Sequence, residues 1–307
     1  MSQQRAQRIV ETVRPAGHPQ PQPNLAPVGV FDSGVGGLTI LHDLLRELPA
    51  ERYIYFGDTG NCPYGVRSQR EIQQLSIAAG RQLIERGAKI IVVACNTASV
   101  SALAELRAVL GQEFGIPFVG VVPAVKPAAE HTRTRKIGVA ATEASARGDY
   151  LKRLIAEHAP GIEVLAVGCP RLVTLAEAGV LEGPEAETAV REYIEPMLDA
   201  GIDQLVLGCT HFPAMRSVFE RVAGSAVEII DSGAAIARRT RFVLTDRHDL
   251  AAPDGNAPAH PRPLEPRDEF WCSGDAEAFS RVASAILGMP VAARTIPGML
   301  VAPGSIS

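Results

Sequence analysis

Short apolar runs recur along the chain from residue 28 onward, and most of them are bounded by turn-forming residues. Successive positions within each run are apolar, so both faces of the segment would be buried. This is typical of strands inside a parallel sheet that helices cover on both sides. The runs occupy residues 28–31, 53–56, 90–94, 118–121, 137–140, 164–167, 205–207 and 227–230.

Segments with the periodicity of amphipathic helices lie between these runs. Apolar residues recur three or four positions apart at 38, 41, 45 and 48, and again at 72, 75, 79 and 83. A last helical pattern covers residues 275–287, after the short apolar run 270–272. Strand alternating with helix predicts an α/β protein with doubly wound parallel sheets.

A weak internal repeat divides the chain into two halves. Each half opens on a strand with Gly-Val, at 29–30 and at 138–139, and each has a later strand followed by a cysteine, Cys95 or Cys209. We therefore predict two α/β domains. Residues 28–122 with 232–290 would form the domain of the first cysteine, and residues 123–231 the domain of the second.

Three segments fall outside this pattern. Residues 1–27, rich in proline and glutamine, are predicted to be a disordered tail. Residues 245–269 contain five prolines and are predicted to form an exposed excursion rather than core. Residues 291–307 are predicted to be a second tail.

Composition narrows the class of protein. The net charge of −4 gives no reason to expect nucleic acid or an anionic membrane as a partner. The chain has no signal-peptide pattern and nothing close to the roughly 18 apolar residues of a membrane span, so we expect a cytoplasmic protein. Its five scattered cysteines, without a CxxC pair, favour reduced thiols over a disulfide framework. A homodimer is left open.

Polar residues follow the predicted strands, where ligands bind in open α/β sheets. Two of these strand ends carry a thiol beside small hydrogen-bonding groups that suit an anionic ligand such as a carboxylate. The strand ends are residues 32–34, 57–59, 95–97, 142, 209–211 and 231–233.

A pair of thiols suits proton removal from one side of a carbon and proton return from the other. Few free thiols are ionised at neutral pH, so each needs help from its surroundings. Asp32 and His211 are candidates to supply it. One cysteine beside a histidine would instead suggest a nucleophile for acyl transfer. The second thiol, at the matching place in the other half, favours proton transfer.

Other chemistries are less well supported. The glycines at 34, 36 and 37 match no nucleotide-binding motif and are interpreted as permitting a tight turn and a close approach to a small ligand. Cys209 and His211 could be half of a zinc site, but the sequence offers no second Cys/His cluster, so no metal is expected. None of the lysines, Lys89, Lys126, Lys136 or Lys152, is well placed for a pyridoxal-phosphate Schiff base. Cys169 and Cys272 are interpreted as small core residues.

Five motifs, in order, resemble those of the glutamate racemases within the aspartate/glutamate racemase superfamily. The resemblance runs from about residue 28 to residue 288. The motifs are GVFDSGVGGLT at 29–39, YFGDT at 55–59 with PYG at 63–65, VACNTA at 93–98, LGCTHFP at 207–213 and IDSG at 230–233.

The resemblance implies two flavodoxin-like domains with the active site between them, and no cofactor. Cys95 and Cys209 would be the two acid–base residues for L- and D-glutamate, with Asp32 assisting the first and His211 and Glu177 the second. The product would supply peptidoglycan synthesis. The residues implied to hold the substrate are Ser33, Tyr64, Gly65, Asn96, Thr97 and Thr210, together with Asp32 and His211.

The chain departs from the family pattern in two places. Where the family usually shows Thr-x-x-Thr-Val, this chain has Thr-Glu-Ala-Ser-Ala at 142–146. Ser145 keeps a hydroxyl for the substrate, whereas Glu143 would repel an anion unless it points away. Thr174 stands where the family often has proline.

Rival functions remain open at the level of sequence. The nearest are an aspartate racemase, a hydantoin racemase or a decarboxylase on the same scaffold. A binding protein that lost activity and a Cys–His hydrolase belong to other classes. Motif 32–39 and the loop at 64–65 favour glutamate.

Overall fold

The computed structural model describes residues 25–251 and 260–296. Its ten strands form two fully parallel sheets, one of six strands in the order β10-β9-β2-β1-β3-β4 and one of four in the order β6-β5-β7-β8. The strands are β1 (Val28–Asp32), β2 (Tyr53–Gly57), β3 (Ile90–Val93), β4 (Phe118–Gly120), β5 (Lys136–Ala141), β6 (Glu163–Gly168), β7 (Gln204–Leu207), β8 (Glu228–Ile230), β9 (Glu269–Cys272) and β10 (Ala293–Thr295).

Twelve α-helices in the described ranges connect and cover these strands, and short 3₁₀ turns lie at 59–61, 64–66 and 212–215. A π-helical turn at Arg107–Gly111 joins α3 to α4. The helices are α1 (Leu38–Glu47), α2 (Gln69–Glu85), α3 (Asn96–Leu106), α4 (Gln112–Phe114), α5 (Val125–His131), α6 (Glu143–Arg147), α7 (Asp149–His158), α8 (Pro170–Glu177), α9 (Pro184–Asp199), α10 (Arg216–Ala223), α11 (Gly233–Asp246) and α12 (Ala276–Leu287).

Both sheets are covered on both faces, which confirms the predicted doubly wound α/β class. Strand β1 is buried along its whole length. Because side chains alternate along a strand, Val28 and Val30 pack with Leu38 of α1, while Phe31 packs on the other face with Leu75 of α2. The edge strand β6 is only half-buried, so the expectation of burial on both faces fails there.

The internal repeat has a counterpart in the topology. The order β2-β1-β3-β4 in the first sheet matches β6-β5-β7-β8 in the second, with β1 pairing β3 as β5 pairs β7. Strands β3 and β7 are both interior, and a cysteine follows each of them by two residues, Cys95 and Cys209. The two thiols therefore leave equivalent strand ends.

The prediction of a tail from residue 291 is wrong for residues 293–295, which form strand β10 beside β9. The backbone N–H of Ile296 donates to the Cys272 carbonyl at 2.8 Å, and the Ile296 side chain is buried. This strand is short and polar, and backbone pairing rather than an apolar pattern holds it. The rest of that segment, 297–307, lies outside the described residues.

The predicted excursion at 245–269 is also partly wrong. Helix α11 extends into it to Asp246, and Leu264 packs against the core of the first sheet. Arg262 forms an ion pair with the buried Asp268 at 2.7 Å. Residues 252–259 lie outside the described ranges.

The N-terminal segment ends earlier than predicted. Ala26 and Pro27, placed in the predicted tail 1–27, are buried, and the Pro27 carbonyl accepts from the Lys89 N–H at 2.9 Å. Residues 1–24 lie outside the described part of the chain. Within the described ranges, no helix combines the length and apolarity needed to cross a bilayer.

Candidate active site

Cys95 caps the N-terminus of α3. Its sulfur accepts from the Ala98 N–H at 3.4 Å, and its thiol donates to the Ser33 hydroxyl at 3.5 Å. Burial, with a further contribution from the carboxylate of Asp32, raises the pKa of the Cys95 thiol to about 12, although the hydrogen bonds with Ser33 and Ala98 act in the opposite direction. Asp32 therefore does not favour the thiolate electrostatically, contrary to the expectation that it would help Cys95 ionise.

Asp32 is fully buried at the carboxyl end of β1. Its Oδ1 accepts from the Gly34 N–H at 2.8 Å, and its Oδ2 accepts from the Thr210 hydroxyl at 3.1 Å. Burial raises the pKa of this carboxyl group, and His211 and the Gly34 N–H oppose that effect. The second contact joins the first sheet to the loop after β7.

Cys209 belongs to a chain of three groups. Its Sγ lies 3.5 Å from Nδ1 of His211, and Nε2 of His211 lies 2.5 Å from Oε1 of Glu177. Burial opposes protonation of His211, but its bonds with Cys209 and Glu177 raise its pKa well above the ordinary value. Burial likewise opposes ionisation of Glu177, yet His211 brings the Glu177 pKa below its usual value. The arrangement therefore favours an imidazolium beside Cys209.

One pocket collects most of the predicted site residues. It is lined by both thiols, so the two sulfurs open onto the same space. The predicted residues on its wall are Ser33, Tyr64, Gly65, Cys95, Asn96, Thr97, Cys209, Thr210 and His211. Asp32 and Glu177 stand behind this wall and reach it through Thr210 and His211.

Ser145 is placed differently from the prediction. It lines a neighbouring pocket that shares Asn96 and Thr97 with the first, and its oxygen accepts from the Thr142 hydroxyl at 2.9 Å. Thr142 itself lines the pocket with the two thiols. From the sequence, Thr142 is expected at a strand end but not in the site. Ser145 therefore contacts a residue of the pocket wall without lining that pocket itself.

Tyr64 lines the pocket, but its hydroxyl is already hydrogen-bonded. The hydroxyl donates to Oδ2 of Asp58 at 2.6 Å in a buried network with Asn61 and Ser273. Burial, with the adjacent Asp58, raises the pKa of Tyr64 well above its ordinary value. The Tyr64 hydroxyl therefore has no proton left to donate to a substrate.

Glu143 does not line the pocket. It lies in the first turn of α6, and a Cβ built on Gly168 would be only 2.7 Å from its Cγ, so its side chain packs against the end of β6. The charge that departs from the family pattern is therefore turned away from the two thiols.

The side-chain oxygen of Asn96 lacks a hydrogen-bond donor within the described residues. Its Oδ1 is buried, and no group among the described residues donates to it. Buried polar atoms are normally paired, because an unpaired one costs about 1–3 kcal/mol. Asn96 lies on the pocket wall beside Cys95, so a ligand with a donor group would satisfy it.

The glycines after β1 leave space for side chains that come from the second sheet's half of the chain. A Cβ built on Gly34 would lie 1.9 Å from Oε1 of Glu177, and one on Gly36 would lie 2.8 Å from Nδ1 of His211. Val35 donates its N–H to Oε1 of Glu177 at 2.9 Å. The sequence interpretation expected these glycines to approach a small ligand; they approach the side chains that support Cys209.

Fold and site together define the class: a two-domain α/β protein in which one pocket is lined by a thiol from each half. Residues 31–240 match the family model described as Asp/Glu/Hydantoin racemase. The chain belongs to this family of isomerases.

Named relatives agree with this assignment. The chain is 45% identical over 256 residues to a glutamate racemase of Herpetosiphon aurantiacus, covering 83% of this chain and 96% of that one. It resembles the crystal structure of the Francisella tularensis glutamate racemase with D-glutamate, with a TM-score of 0.74, 29% identity and coverage of 91% and 99%. The Escherichia coli enzyme with L-glutamate and the activator UDP-MurNAc-ala gives a TM-score of 0.72, 33% identity and coverage of 88% and 97%.

Proposed function

We propose that this protein converts L-glutamate to D-glutamate by proton transfer between the α-carbon and two thiols, Cys95 and Cys209. The observation that carries the proposal is that both thiols line one pocket, each from the equivalent strand end of its sheet. Two acid–base groups reaching one carbon from two sheets suit inversion: one removes the α-proton, and the other returns a proton to the opposite face.

The two thiols would be activated in different ways. At Cys209, the imidazolium of His211 stabilises the thiolate, and Glu177 holds that imidazolium in place. At Cys95, the neighbouring Asp32 opposes ionisation. A substrate ammonium next to Asp32 would offset that charge, so Cys95 would ionise only when the substrate is present.

The wall of the pocket suits an amino acid. The unpaired Oδ1 of Asn96 would accept the ammonium group, and the carboxylate of Asp32, which lies behind the wall and bonds to Thr210, would favour its positive charge. The hydroxyls of Ser33, Thr97 and Thr210, with the N-terminus of α3, would hold the carboxylates. Ser145 would act through Thr142, and Tyr64 and Gly65 would close one side.

The mechanism needs no cofactor. Pyridoxal chemistry would require a lysine at the pocket, and none of the four lysines, all within the described ranges, lines it. The ammonium of Lys89 is paired with Glu51 at 2.7 Å, and that of Lys136 donates to the Ala200 carbonyl at 2.9 Å. Lys126 and Lys152 are exposed.

We further propose that the protein acts in the cytoplasm, where thiols stay reduced, and that its D-glutamate supplies peptidoglycan synthesis. The partner is then a small molecule rather than nucleic acid or a membrane. A homodimer and the domain boundaries at 28–122 with 232–290 and 123–231 stay predictions.

The test is racemisation in D2O by metal-free protein without added cofactor, followed by circular dichroism and mass spectrometry. A two-thiol mechanism puts deuterium on the α-carbon of the product at each turnover, while recovered substrate stays protonated early on. Cys95→Ala and Cys209→Ala should each lower turnover at least about 10²–10⁴-fold. Product that retains its original α-hydrogen, a need for pyridoxal phosphate, or activity on aspartate but not glutamate would refute the proposal.

A further inference from the structure

A third thiol lies next to the site and takes no part in the mechanism above. Cys62 sits between the 3₁₀ turns at 59–61 and 64–66 and is half-buried. Its side chain hydrogen-bonds to Glu177. The structure thus places a sulfur beside the His211–Glu177 pair, with partial access to solvent.

Three metal-binding atoms converge at this point. One each from Cys62, Glu177 and His211 lie within 4.8 Å of one another. In a tetrahedral zinc site, ligand atoms about 2.0–2.3 Å from the metal are roughly 3.3–3.8 Å apart. Side-chain movements of about 1 Å would therefore bring the three atoms to bonding positions.

The chemistry and charge of the three groups suit zinc. Thiolate, imidazole and carboxylate are the ligand types that Zn²⁺ takes, and three protein ligands leave a fourth position for water. One thiolate and one carboxylate balance the two charges of the ion.

We propose that Cys62, Glu177 and His211 form an inhibitory zinc site. Zinc displaces the thiol proton of Cys62 and the Nε2 proton of His211, both of which are released to solvent, and water completes the coordination. Three segments supply the ligands: the loop after β2, the end of α8 and the loop after β7.

Inhibition rests on the proposed function of His211. Bound zinc would occupy Nε2 and the Glu177 oxygen that now face each other. The Nδ1 proton that faces Cys209 would stay in place, but the shift of about 1 Å toward the metal would draw Nδ1 away from the Cys209 sulfur, which it now faces at 3.5 Å. Racemisation would stop while zinc is bound and return when a chelator removes it.

The full-length protein is titrated first with Co²⁺, and binding is followed by the sulfur-to-cobalt charge-transfer absorption. It is then titrated with Zn²⁺, and binding is measured by calorimetry and by inhibition of racemisation. Cys62→Ser keeps a hydrogen-bond donor for Glu177 but loses the thiolate. It should remove the cobalt band and weaken zinc binding at least about tenfold. Cys272→Ser, a cysteine buried in the first core, is the matched control and should bind like the wild type.

A wild-type protein without the band would overturn the proposal. So would a band that survives Cys62→Ser and disappears in Cys95→Ser or Cys209→Ser, because the metal would then sit on the two pocket thiols. If the wild-type protein shows the band but does not racemise glutamate, and Cys62→Ser lacks the band, the zinc site is supported and the proposed function is refuted.

Discussion

Asp32 and Glu177 each place a carboxylate behind one of the two pocket thiols, but only Asp32 acts on its thiol directly. Asp32 acts on Cys95 directly and raises its pKa. Glu177 does not contact Cys209. It stabilises the protonated form of His211, and the positive charge of His211 then lies beside the Cys209 sulfur. Two similar carboxylates thus give the two thiols different resting environments.

Glu177→Gln should lower the pKa of His211, because the amide cannot supply the charge that raises it. Protonated His211 would then be lost at lower pH, so the alkaline limb of the kcat profile should move to lower pH. We expect kcat to fall about tenfold to hundredfold, at the low end of a proton-transfer contribution. A kcat profile against pH is the measurement.

Glu182→Gln is the control for this substitution. Glu182 is an exposed glutamate that pairs with Arg221 at 2.6 Å, away from the pocket. An alkaline limb that stays in place in Glu177→Gln would show that His211 does not depend on Glu177.

At the scale of elements, the loop after β1 matters because its glycines lack side chains. Gly34 and Gly36 leave room for Glu177 and His211, which arrive from the other sheet. The composition of this loop makes it recognisable in the sequence, but the side chains that fill the space come from segments more than a hundred residues away. No local pattern identifies it.

Gly34→Ala should impair activity much more than stability. Its Cβ would lie 1.9 Å from Oε1 of Glu177 and would push that carboxylate away from His211. A displacement of about 1 Å in supporting groups can cost about 10²-fold in rate, and we expect a loss of that order in kcat/KM.

Gly111→Ala is the matched control, because its Cβ would meet no atom closer than 3.5 Å. It should leave kcat/KM unchanged. Equal losses in the two variants would show that the space at Gly34 is not what matters.

The sequence predicted the interior strands better than the edges. Interior strands such as β1 and β3 are buried on both faces and appear as apolar runs. The outermost strand β10 reads Ala-Arg-Thr and carries no such pattern. Likewise, the cysteines could be located from strand ends, whereas the bond between the Tyr64 hydroxyl and Asp58 could not, because it depends on how two loops pack.

Ile296→Ala tests whether β10 is part of the fold. Ile296 is buried in the cluster with Phe31 and Ile54, and truncating a buried isoleucine costs about 2–4 kcal/mol. The free energy of unfolding in urea should fall by that amount. Val66→Ala, at an 81% exposed valine, should change it little, and an equally small effect at Ile296 would contradict the assignment.

At the scale of the molecule, the two sheets are joined by specific polar contacts as well as by the chain. Thr39 donates its hydroxyl to the Thr210 carbonyl at 3.0 Å, beside the contact between Thr210 and Asp32. Farther from the pocket, Asp43 of α1 lies near Asp231, which pairs with Arg216 of α10. Burial and the charge of Asp231 raise the pKa of Asp43 to about 6.

This raised pKa predicts how stability depends on pH. Between about pH 4 and 6 the folded protein keeps a proton on Asp43 that the unfolded chain has lost, so ionisation above pH 6 destabilises the fold. Asp43→Asn should therefore be more stable than the wild type at pH 8, by about 1–3 kcal/mol, with the gain shrinking as the pH falls to 4.

Urea unfolding at both pH values is the measurement. Asp149→Asn, at an exposed carboxylate paired with Lys152 at 2.9 Å, is the control and should show a much smaller pH-dependent change. A gain at Asp43→Asn that is equal at pH 4 and pH 8 would contradict the assigned pKa.

The chain leaves the first sheet after β4 and returns to it only after completing the second sheet. The two connecting segments meet where the Ser232 hydroxyl donates to the Val122 carbonyl at 2.7 Å. During synthesis on the ribosome, the second sheet can therefore be completed while the first still waits for β9 and β10. Until they emerge, β2 has an open apolar edge of the kind that recruits other chains. A product released before residue 269 would keep that edge permanently exposed and should aggregate.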